Sequence, residues 1–455
     1  MKHPDGPQTP RWLQKIQWTL DPLGYMDAAT QRYGDIFNAS VVGNYPVLLL
    51  VSNPEALKQI FSGDTQAITA PSNRVLQPVM GDYSVFVLEG SRHRRERKLL
   101  MPPFHGDHMR AYGRLICDLT EKAMGQITPG QRFAARTLMQ TISLEVILKV
   151  VFGLYEGDRA QQLKQGIVAF ANTFKSPFVS GLLFFPSLQK DLGPRSPWGY
   201  FLRLQQQVNQ LLYAEIRERR SAIADPSSRQ FDQSTRSDIL SLLLSARDEA
   251  GGAMTDRELR DELMTLLIAG HETTATAIAW ALYWIHQLPE VQKNLLEELD
   301  TLGDAPEPMS IFRLPYLTAV CNEALRIYPV AVVTVPREVR EPMELMGYAL
   351  EPGTRLYGCI YLTHHREDIY PDPKQFKPER FLDRQFSPYE FFPFGGGVRR
   401  CIGEALALYE MKLVVATMLT HFRLALADSK PERPQRRGVT LAPADGVKMV
   451  MQGLR

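Results

Sequence analysis

Apolar residues recur at helical spacing between about residues 91 and 300, with Gly and Pro clusters breaking the pattern into separate helices. Before this region, the runs IFNASVV and YPVLLLVS, separated by Gly43 and Asn44, predict a β-hairpin, and Pro54 opens a short helix. After Pro329, the runs VVTVPREV, MELMGYAL and RLYGCIYL predict short strands, and GEALALYEMKLVVATMLTHF predicts a last helix. The pattern therefore predicts a mainly α chain with a small β-rich part.

One predicted helix is much longer than the others. Thr255 and Glu258 form a capping box at its start, and Pro289 limits its end, which leaves about 33 residues or roughly 50 Å of helix. Its middle, LMTLLIAGHETTATAIAWALYWI, is apolar enough to resemble a membrane span. His271 and Glu272 argue against a span, because ionisable groups are costly in lipid. We expect a helix buried through the centre of the protein, with a polar interruption where something is bound.

Composition narrows the functional classes. The 455 residues carry 52 basic and 50 acidic side chains, so the net charge of +2 gives no reason to expect a nucleic-acid partner. Length alone suggests two or three domains, but the motifs below favour one domain over residues 1–455. The polar stretch DPSSRQFDQSTRSD is then a surface loop rather than a linker.

The first residues contain no apolar stretch of the length of a transmembrane anchor. Trp12, Leu13, Ile16 and Trp18 could lie at a membrane surface, although such residues more often pack against the protein itself.

The four cysteines differ in their settings. Cys117, Cys321 and Cys359 have no close partner and are interpreted as small core residues of a protein from a reducing compartment, the cytoplasm. Cys401 instead follows three glycines and two arginines and directly precedes a helix. The helix dipole and the arginines are expected to lower the pKa of its thiol and to favour a thiolate.

The segment FFPFGGGVRRCIG resembles the haem-binding signature of the cytochromes P450, with Phe394, Gly397, Arg399, Cys401 and Gly403 at the family's spacing. The resemblance implies that Cys401 is the axial ligand of haem b and that its thiolate favours O–O cleavage. It also implies that Phe394, Arg399 and Gly403 contact the cofactor, Arg399 through a propionate. The implied fold is a triangular, mainly helical domain with a long central helix and a small β-rich part. The β-rich part is expected at about 30–70 and 330–365, and the helical part at about 71–329 and 366–425.

Three further motifs occur in the family's order. In HRRER, His93 and Arg97 are implied to reach the haem propionates, as is Arg337. In EALR, Glu323 and Arg326 are implied to join Arg380 in a buried structural network that serves folding and haem retention.

In the third motif, AGHETT, Glu272 and Thr273 are adjacent in the long helix and follow the small residues Ala and Gly. An acid and an alcohol side by side, in a helix that can open locally and hold water, suit proton delivery to dioxygen. The alternative is a buried polar kink without chemistry.

The cations Arg92, Arg94, Arg95 and Lys98 are predicted to face outward near the cysteine side of the haem. Such a surface would attract an acidic electron donor, a ferredoxin or flavodoxin with its reductase, although simple solvation is an equal alternative. The donor must be a separate protein, because about 50 residues follow Cys401 and no GxGxxG loop is present.

The resemblance assigns a largely apolar substrate cavity to residues from several parts of the chain. Its predicted lining comprises Phe86, Val87, Ala269, Ala331 and Val333, with residues 174–185 as a lid and residues 441–443 near the end of the chain. An apolar lining favours a lipophilic substrate of the fatty acid, terpenoid or retinoid class. The AGHETT helix and the chain length resemble bacterial, particularly cyanobacterial, members of the family.

The expected activity is the insertion of one oxygen atom from dioxygen into such a substrate. A peroxide-using or isomerising haem-thiolate enzyme is a second possibility, which the presence of Glu272 and Thr273 disfavours. A haem-based sensor or electron carrier is a third, and it would need neither a proton relay nor a large apolar cavity.

Overall fold

The computed structural model describes residues 4–43, 45–62, 67–72, 74–153, 157–173, 182, 189–224, 238–303 and 306–455. Two predicted features lie outside these residues: nearly all of the lid at 174–185, and the polar surface loop that begins at residue 225.

The fold is mainly helical with small sheets, as the sequence predicts. The helices are α1 Arg11–Leu20, α2 Pro22–Tyr33, α3 Pro54–Phe61, α4 Gln77–Met80, α5 Gly90–Leu100, α6 Asp107–Met124, α7 Ala135–Phe152, α8 Asp158–Thr173, α9 Pro197–Ala224, α10 Ile239–Ser245, α11 Asp256–Gln287, α12 Pro289–Asp300, α13 Pro308–Phe312, α14 Pro315–Ile327, α15 Ile360–His364, α16 Arg380–Asp383 and α17 Glu404–His421. The strands are β1 Ile36–Asn38, β2 Leu48–Val51, β3 Ile68–Thr69, β4 Arg132–Ala134, β5 Arg337–Val339, β6 Met343–Leu345, β7 Tyr348–Leu350, β8 Arg355–Gly358, β9 Phe422–Leu426, β10 Pro434–Arg437, β11 Thr440–Pro443 and β12 Lys448–Leu454.

The largest sheet joins the early part of the chain to a segment some 300 residues later. Its order is β1-β2-β8-β5-β3. The predicted hairpin is present, since β1 pairs with β2 antiparallel, and β2 continues into a parallel pairing with β8. The division of one domain into β-rich and helical parts stays a prediction, and the C-terminal strands β9 to β12 were not predicted.

Two predicted strands are shorter in the structure. Of VVTVPREV only β5 at its end is a strand, because Pro336 has no N–H for a ladder and residues 332–336 are irregular. In RLYGCIYL the strand ends at Gly358, and the rest enters α15.

Helix α11 is the predicted long helix and forms the centre of the fold. Its capping box is present: the Glu258 backbone N–H donates to Thr255 Oγ1 at 3.2 Å, and the Thr255 N–H donates to Glu258 Oε2 at 2.7 Å. The helix packs against α7, α9, α14 and α17, and side chains all around it, such as Trp280, are buried. Among the described residues, no helix combines the length and apolar character needed to cross a bilayer.

Helix α1 corrects one expectation about the four apolar residues near the start of the chain. Trp18 is buried in a core cluster with Tyr25 and Met26, so it cannot lie at a membrane surface. Trp12 and Ile16 are exposed, and Leu13 is half-buried.

Candidate active site

Cys401 lies between a 3-10 turn at Gly397–Arg399 and the first residue of α17. Its backbone N–H donates to the Phe394 carbonyl at 3.0 Å, which closes the loop that presents the sulfur. Cys117, Cys321 and Cys359 are buried, whereas the Cys401 side chain is exposed. The structure therefore separates Cys401 from the three core cysteines, as the sequence does.

The environment of the Cys401 thiol differs from the expected one. Burial raises its pKa, and Glu404 adds to the rise, while the Gly403 backbone N–H, Arg97 and Arg400 lower the pKa only in part. Arg400 is less effective than predicted, because it forms two hydrogen bonds of 2.6 Å to Glu404. Because protein surrounds the thiol although its side chain is accessible, we infer that the thiol faces an internal space.

The middle of α11 shows the other side of this space. In the turns on either side of residues 266–273, residues on all faces of α11 are buried. Between 266 and 273, most positions are half-buried. The half-buried side chains of Ile268, Phe86, Phe394 and Ile402 border the same hydrophobic core cluster. We infer that the space lies between the centre of α11 and the Cys401 loop.

A group of cations accompanies His93, which is buried on α5. Burial, followed by the charges of Arg399, Arg97 and Arg337, lowers the pKa of His93 to about 3, so the imidazole is neutral beside these guanidinium groups. Arg337 is buried and donates from Nη2 to the Gly396 carbonyl at 2.8 Å. Arg399 donates to the carbonyls of Val85 at 2.6 Å and Leu88 at 2.5 Å. The four predicted propionate ligands are therefore close enough to interact electrostatically, and their positive charge fits a dianionic group.

The glycines of the loop divide into two kinds. A Cβ at Gly396 or Gly397 would collide with Phe61 of α3, so these two glycines allow the loop to pack against α3. A Cβ at Gly403 would meet nothing within 4 Å. Open space beside Gly403 and Cys401, next to the cationic group, fits a flat cofactor with acidic substituents.

Glu272 and Thr273 make contacts in different directions. The Thr273 hydroxyl donates to the Ala269 carbonyl at 2.6 Å within α11. The Glu272 carboxylate forms an ion pair with Arg136 and accepts a hydrogen bond from Gln140, both on α7. The predicted local opening of the helix is not seen, since α11 runs unbroken from Asp256 to Gln287.

The structure brings Glu323, Arg326 and Arg380 together. Arg326 donates to both carboxylate oxygens of Glu323 at 2.6 and 2.8 Å, and Arg380 Nε donates to Glu323 at 3.2 Å. The Lys377 backbone N–H adds a hydrogen bond to Glu323 at 2.8 Å, and Arg326 also donates to the His364 carbonyl at 2.7 Å. Glu323 and Arg326 are fully buried, whereas Arg380 is half-buried at the edge of the group.

The predicted cavity residues share one property. Phe86, Val87, Ala269, Ala331 and Val333 are all half-buried, as expected for a cavity wall. Residues 441–443 are fully buried in β11, where the Leu441 N–H donates to the Val330 carbonyl at 2.8 Å, so they support the wall from behind. An open cleft of about 510 Å³ beside Val87 does not include Cys401 in its lining.

The predicted basic surface on α5 is smaller than expected. Arg92, Arg94 and Lys98 are exposed, but Arg95 is half-buried and binds Asp248 at 2.6 Å and Glu258 at 3.1 Å. Lys98 is paired with Glu249 at 2.6 Å.

Sequence reasoning missed Arg136 and Gln140 as neighbours of Glu272. Their spacing of four places both on one face of α7, which the sequence shows. Glu272, which this face contacts, lies on another helix at least 132 residues later in the chain. A single sequence does not indicate which distant helices pack together.

Comparison with known proteins gives a consistent result. A family model described as Cytochrome P450 matches residues 4–450. Cytochrome P450 135B1 of Mycobacterium tuberculosis is 34% identical over 453 residues, covering 99% of this chain and 92% of the relative. Cytochrome P450 138 of Mycobacterium bovis is 31% identical, covering 99% of this chain and 96% of the relative. The fold is similar to that of retinoic acid-bound cyanobacterial CYP120A1, with a TM-score of 0.83, 23% identity and 99% coverage of both chains.

Proposed function

Because this chain belongs to the cytochrome P450 family of haem-thiolate monooxygenases, we propose that Cys401 is the axial ligand of a haem b. The observation that carries this assignment is a cysteine side chain exposed to an internal space and placed before a helix N-terminus. A haem iron held by a cysteine thiolate supplies dioxygen activation and favours O–O cleavage. Metal ligation also removes the thiol proton, so the raised pKa of free Cys401 does not oppose this role.

We assign the haem propionates to the group formed by His93, Arg97, Arg337 and Arg399. Guanidinium groups bind carboxylates in a planar, charge-assisted geometry, and His93 contributes as a neutral hydrogen-bonding group. Phe394 and Gly403 would lie against the macrocycle on the Cys401 side.

We propose that Glu272 and Thr273 move protons toward the reacting centre. The Thr273 side chain is half-buried at the internal space, so its hydroxyl can hold a water there. Glu272 must leave Arg136 and Gln140 to pass a proton in the same direction, which makes its ion pair a resting position.

The substrate proposed is lipophilic, of the fatty acid, terpenoid or retinoid class. The support is the apolar, half-buried wall formed by Phe86, Val87, Ala269, Ala331 and Val333.

Electrons come from a separate redox partner, and we propose a ferredoxin or flavodoxin with its reductase. Arg92 and Arg94 are exposed on α5, the helix whose Arg97 donates to the Arg400 carbonyl beside Cys401, and these cations would attract its acidic surface. All four cysteines are free, the state expected in a reducing compartment, and we place the enzyme in the cytoplasm.

The test is the spectrum of the reduced, carbon-monoxide-bound protein, compared between the parent, Cys401→Ser and the control Cys359→Ala. The parent and the control are expected to show the long-wavelength Soret band of thiolate ligation, and Cys401→Ser is expected to lose it. A well-folded parent that binds no haem, or that gives the short-wavelength band of a neutral ligand, would contradict the assignment.

A further inference from the structure

We propose that one face of α1 and the tip of the β10–β11 hairpin together form a surface that binds anionic lipid bilayers. We call this the interfacial surface. It consists of the exposed apolar residues Trp12, Ile16, Leu20 and Val439, with the basic residues of residues 11–20 and 430–439 around them.

The apolar residues of α1 form one stripe. Trp12, Ile16 and Leu20 are spaced by four, so they lie on one side of the helix, and they are 64%, 45% and 79% exposed. Large apolar side chains that are exposed next to one another mark an interaction site more strongly than the same residues scattered singly.

The opposite side of α1 fixes the direction of this stripe. Gln14 is buried, donates to the carbonyls of Pro7 and Thr9 at 2.9 and 2.8 Å, and accepts from the Tyr25 hydroxyl at 2.9 Å. Trp18 is buried in the core cluster that contains Tyr25. The stripe cannot turn inward without breaking these contacts.

The hairpin extends the surface beyond α1. Arg436 of β10 donates to the Trp18 carbonyl at 3.1 Å, and its guanidinium lies 5.8 Å from the centre of the Trp18 ring. The hairpin is therefore held beside the C-terminal half of α1. Its tip presents Val439, which is 72% exposed.

The charge of these two segments indicates that the interfacial surface binds an anionic bilayer. Residues 11–20 and 430–439 contain six basic side chains and one acidic side chain, Glu432, in a chain whose total net charge is +2. Arg436 is turned toward Trp18, and Lys430 is paired with Asp445 at 3.5 Å. The other four basic side chains are Arg11, Lys15, Arg433 and Arg437. Apolar residues among basic ones are the pattern of a helix lying in the plane of an anionic bilayer, such as the cytoplasmic leaflet.

The same region reaches the proposed substrate cavity. Val332 and Val333 pack against the core cluster of Trp18, and the β11 residue Leu441 is bonded to Val330. A bilayer that contains the lipophilic substrate would thus lie on the outer side of one cavity wall. This link deepens the proposed function and rests on it for the identity of the cavity.

The experiment is sedimentation of the full-length haem-loaded protein with phosphatidylcholine vesicles and with vesicles that also contain phosphatidylglycerol. We expect binding to the anionic vesicles to be about ten-fold tighter and to weaken with salt. The variant Trp12→Ser/Ile16→Ser/Leu20→Ser should lose about ten-fold in affinity. The matched control Leu382→Ser/Leu454→Ser, which removes exposed apolar residues of α16 and β12, should bind within about two-fold of the parent.

Trp12 provides a second readout. Trp18, Trp198 and Trp280 are buried and Trp284 is half-buried, so a blue shift of tryptophan emission on adding anionic vesicles would report on Trp12. The variant Trp12→Phe should still sediment with the vesicles but lose the shift.

Three outcomes would overturn the inference: no binding to either vesicle, equal binding by the triple variant, or parent self-association that the triple variant abolishes without vesicle binding. The last would assign the stripe to a second copy of this chain. The carbon-monoxide spectrum of the same sample separates the two proposals, because a normal spectrum without vesicle binding contradicts this inference alone. Vesicle binding by a protein without the thiolate spectrum would contradict the proposed function alone.

Discussion

Two ion pairs in this protein contain the same groups in different surroundings. Glu323 and Arg326 are both 0% exposed, and the carboxylate also accepts from Arg380 and from the Lys377 backbone. In the pair of Glu272 and Arg136, the side chains are 28% and 9% exposed, and Gln140 is the further donor that the structure shows for the carboxylate. The first pair is enclosed by protein, and the second is partly exposed.

The difference in exposure indicates that a carboxylate–guanidinium pair can either stabilise the fold or allow its carboxylate to move. Removing one partner from an enclosed pair leaves a buried charge without compensation, at a cost of about 3–5 kcal/mol. Glu272 can instead rotate toward the internal space by giving up contacts with two side chains of one helix. We therefore expect the first pair to determine stability and the second to determine rate.

The largest effect is expected for Arg326→Ala. This change leaves Glu323 charged and buried and frees the His364 carbonyl, so the free energy of unfolding should fall by about 3–5 kcal/mol. Thermal unfolding, together with the haem content of the purified protein, measures the loss.

The control is Arg384→Ala, which breaks an exposed pair with Glu390 at 2.8 Å. We expect a change below about 1 kcal/mol there. Equal losses in the two variants would show that enclosure does not distinguish these pairs.

Glu410 on α17 extends the comparison to a buried carboxyl for which no neighbouring cation is found in the part of the chain that the structure describes. Its Oε1 has no hydrogen-bond partner among the described residues, and burial raises its pKa to about 7. Between about pH 4.5 and 7 the folded protein keeps a proton that the unfolded chain has lost, so stability should fall as the pH rises, by up to about 3 kcal/mol.

Glu410→Gln should remove this slope. The measurement is the difference in unfolding free energy between pH 5 and pH 7 in the parent and the variant. Buried His286, whose pKa burial lowers to about 4, gives an opposite slope that is the same in both proteins and cancels. An unchanged slope in the variant would show that Glu410 is ionised in the folded state.

The next smaller effect concerns two neighbouring threonines. Thr273 and Thr274 both donate to the carbonyl four residues earlier, at 2.6 and 2.9 Å, but Thr273 is half-buried at the internal space and Thr274 is buried. Thr273→Val should lower product formation about 100-fold, the low end of what proton transfer contributes. Thr274→Val is expected to stay within about two-fold.

The measurement is product formed per electron consumed, with a lipophilic compound chosen because it perturbs the haem spectrum. Equal losses in the two variants would assign the effect to the helix backbone instead of the Thr273 hydroxyl.

The sequence alone predicts the long helix, the β1–β2 pairing and the separation of Cys401 from the other cysteines. These features depend on local signals: a capping box, two strand-like apolar runs separated by Gly43 and Asn44, and residues adjacent to a helix start. The surroundings that set the Cys401 pKa could not be read locally, because burial and the pairing of Arg400 with Glu404 depend on the packed structure. In the same way, Arg95 looks like one more surface cation of α5, and its partners Asp248 and Glu258 are more than 150 residues away.

The smallest effect, and the sharpest test of the comparison, concerns Arg136. Arg136→Met removes the cation that holds Glu272 at α7, and we expect turnover to fall about ten-fold, because the carboxylate loses the partner that fixes its resting position. Arg136→Lys should restore most of the rate, and Gln140→Leu should cost about two-fold, because a neutral donor stabilises a carboxylate less than a cation does. The carbon-monoxide spectrum and the unfolding temperature should stay close to those of the parent in all three variants, since Glu272 is partly exposed in this pair. Loss of haem in Arg136→Met, of the size expected for Arg326→Ala, would instead make both pairs structural and remove the distinction between them.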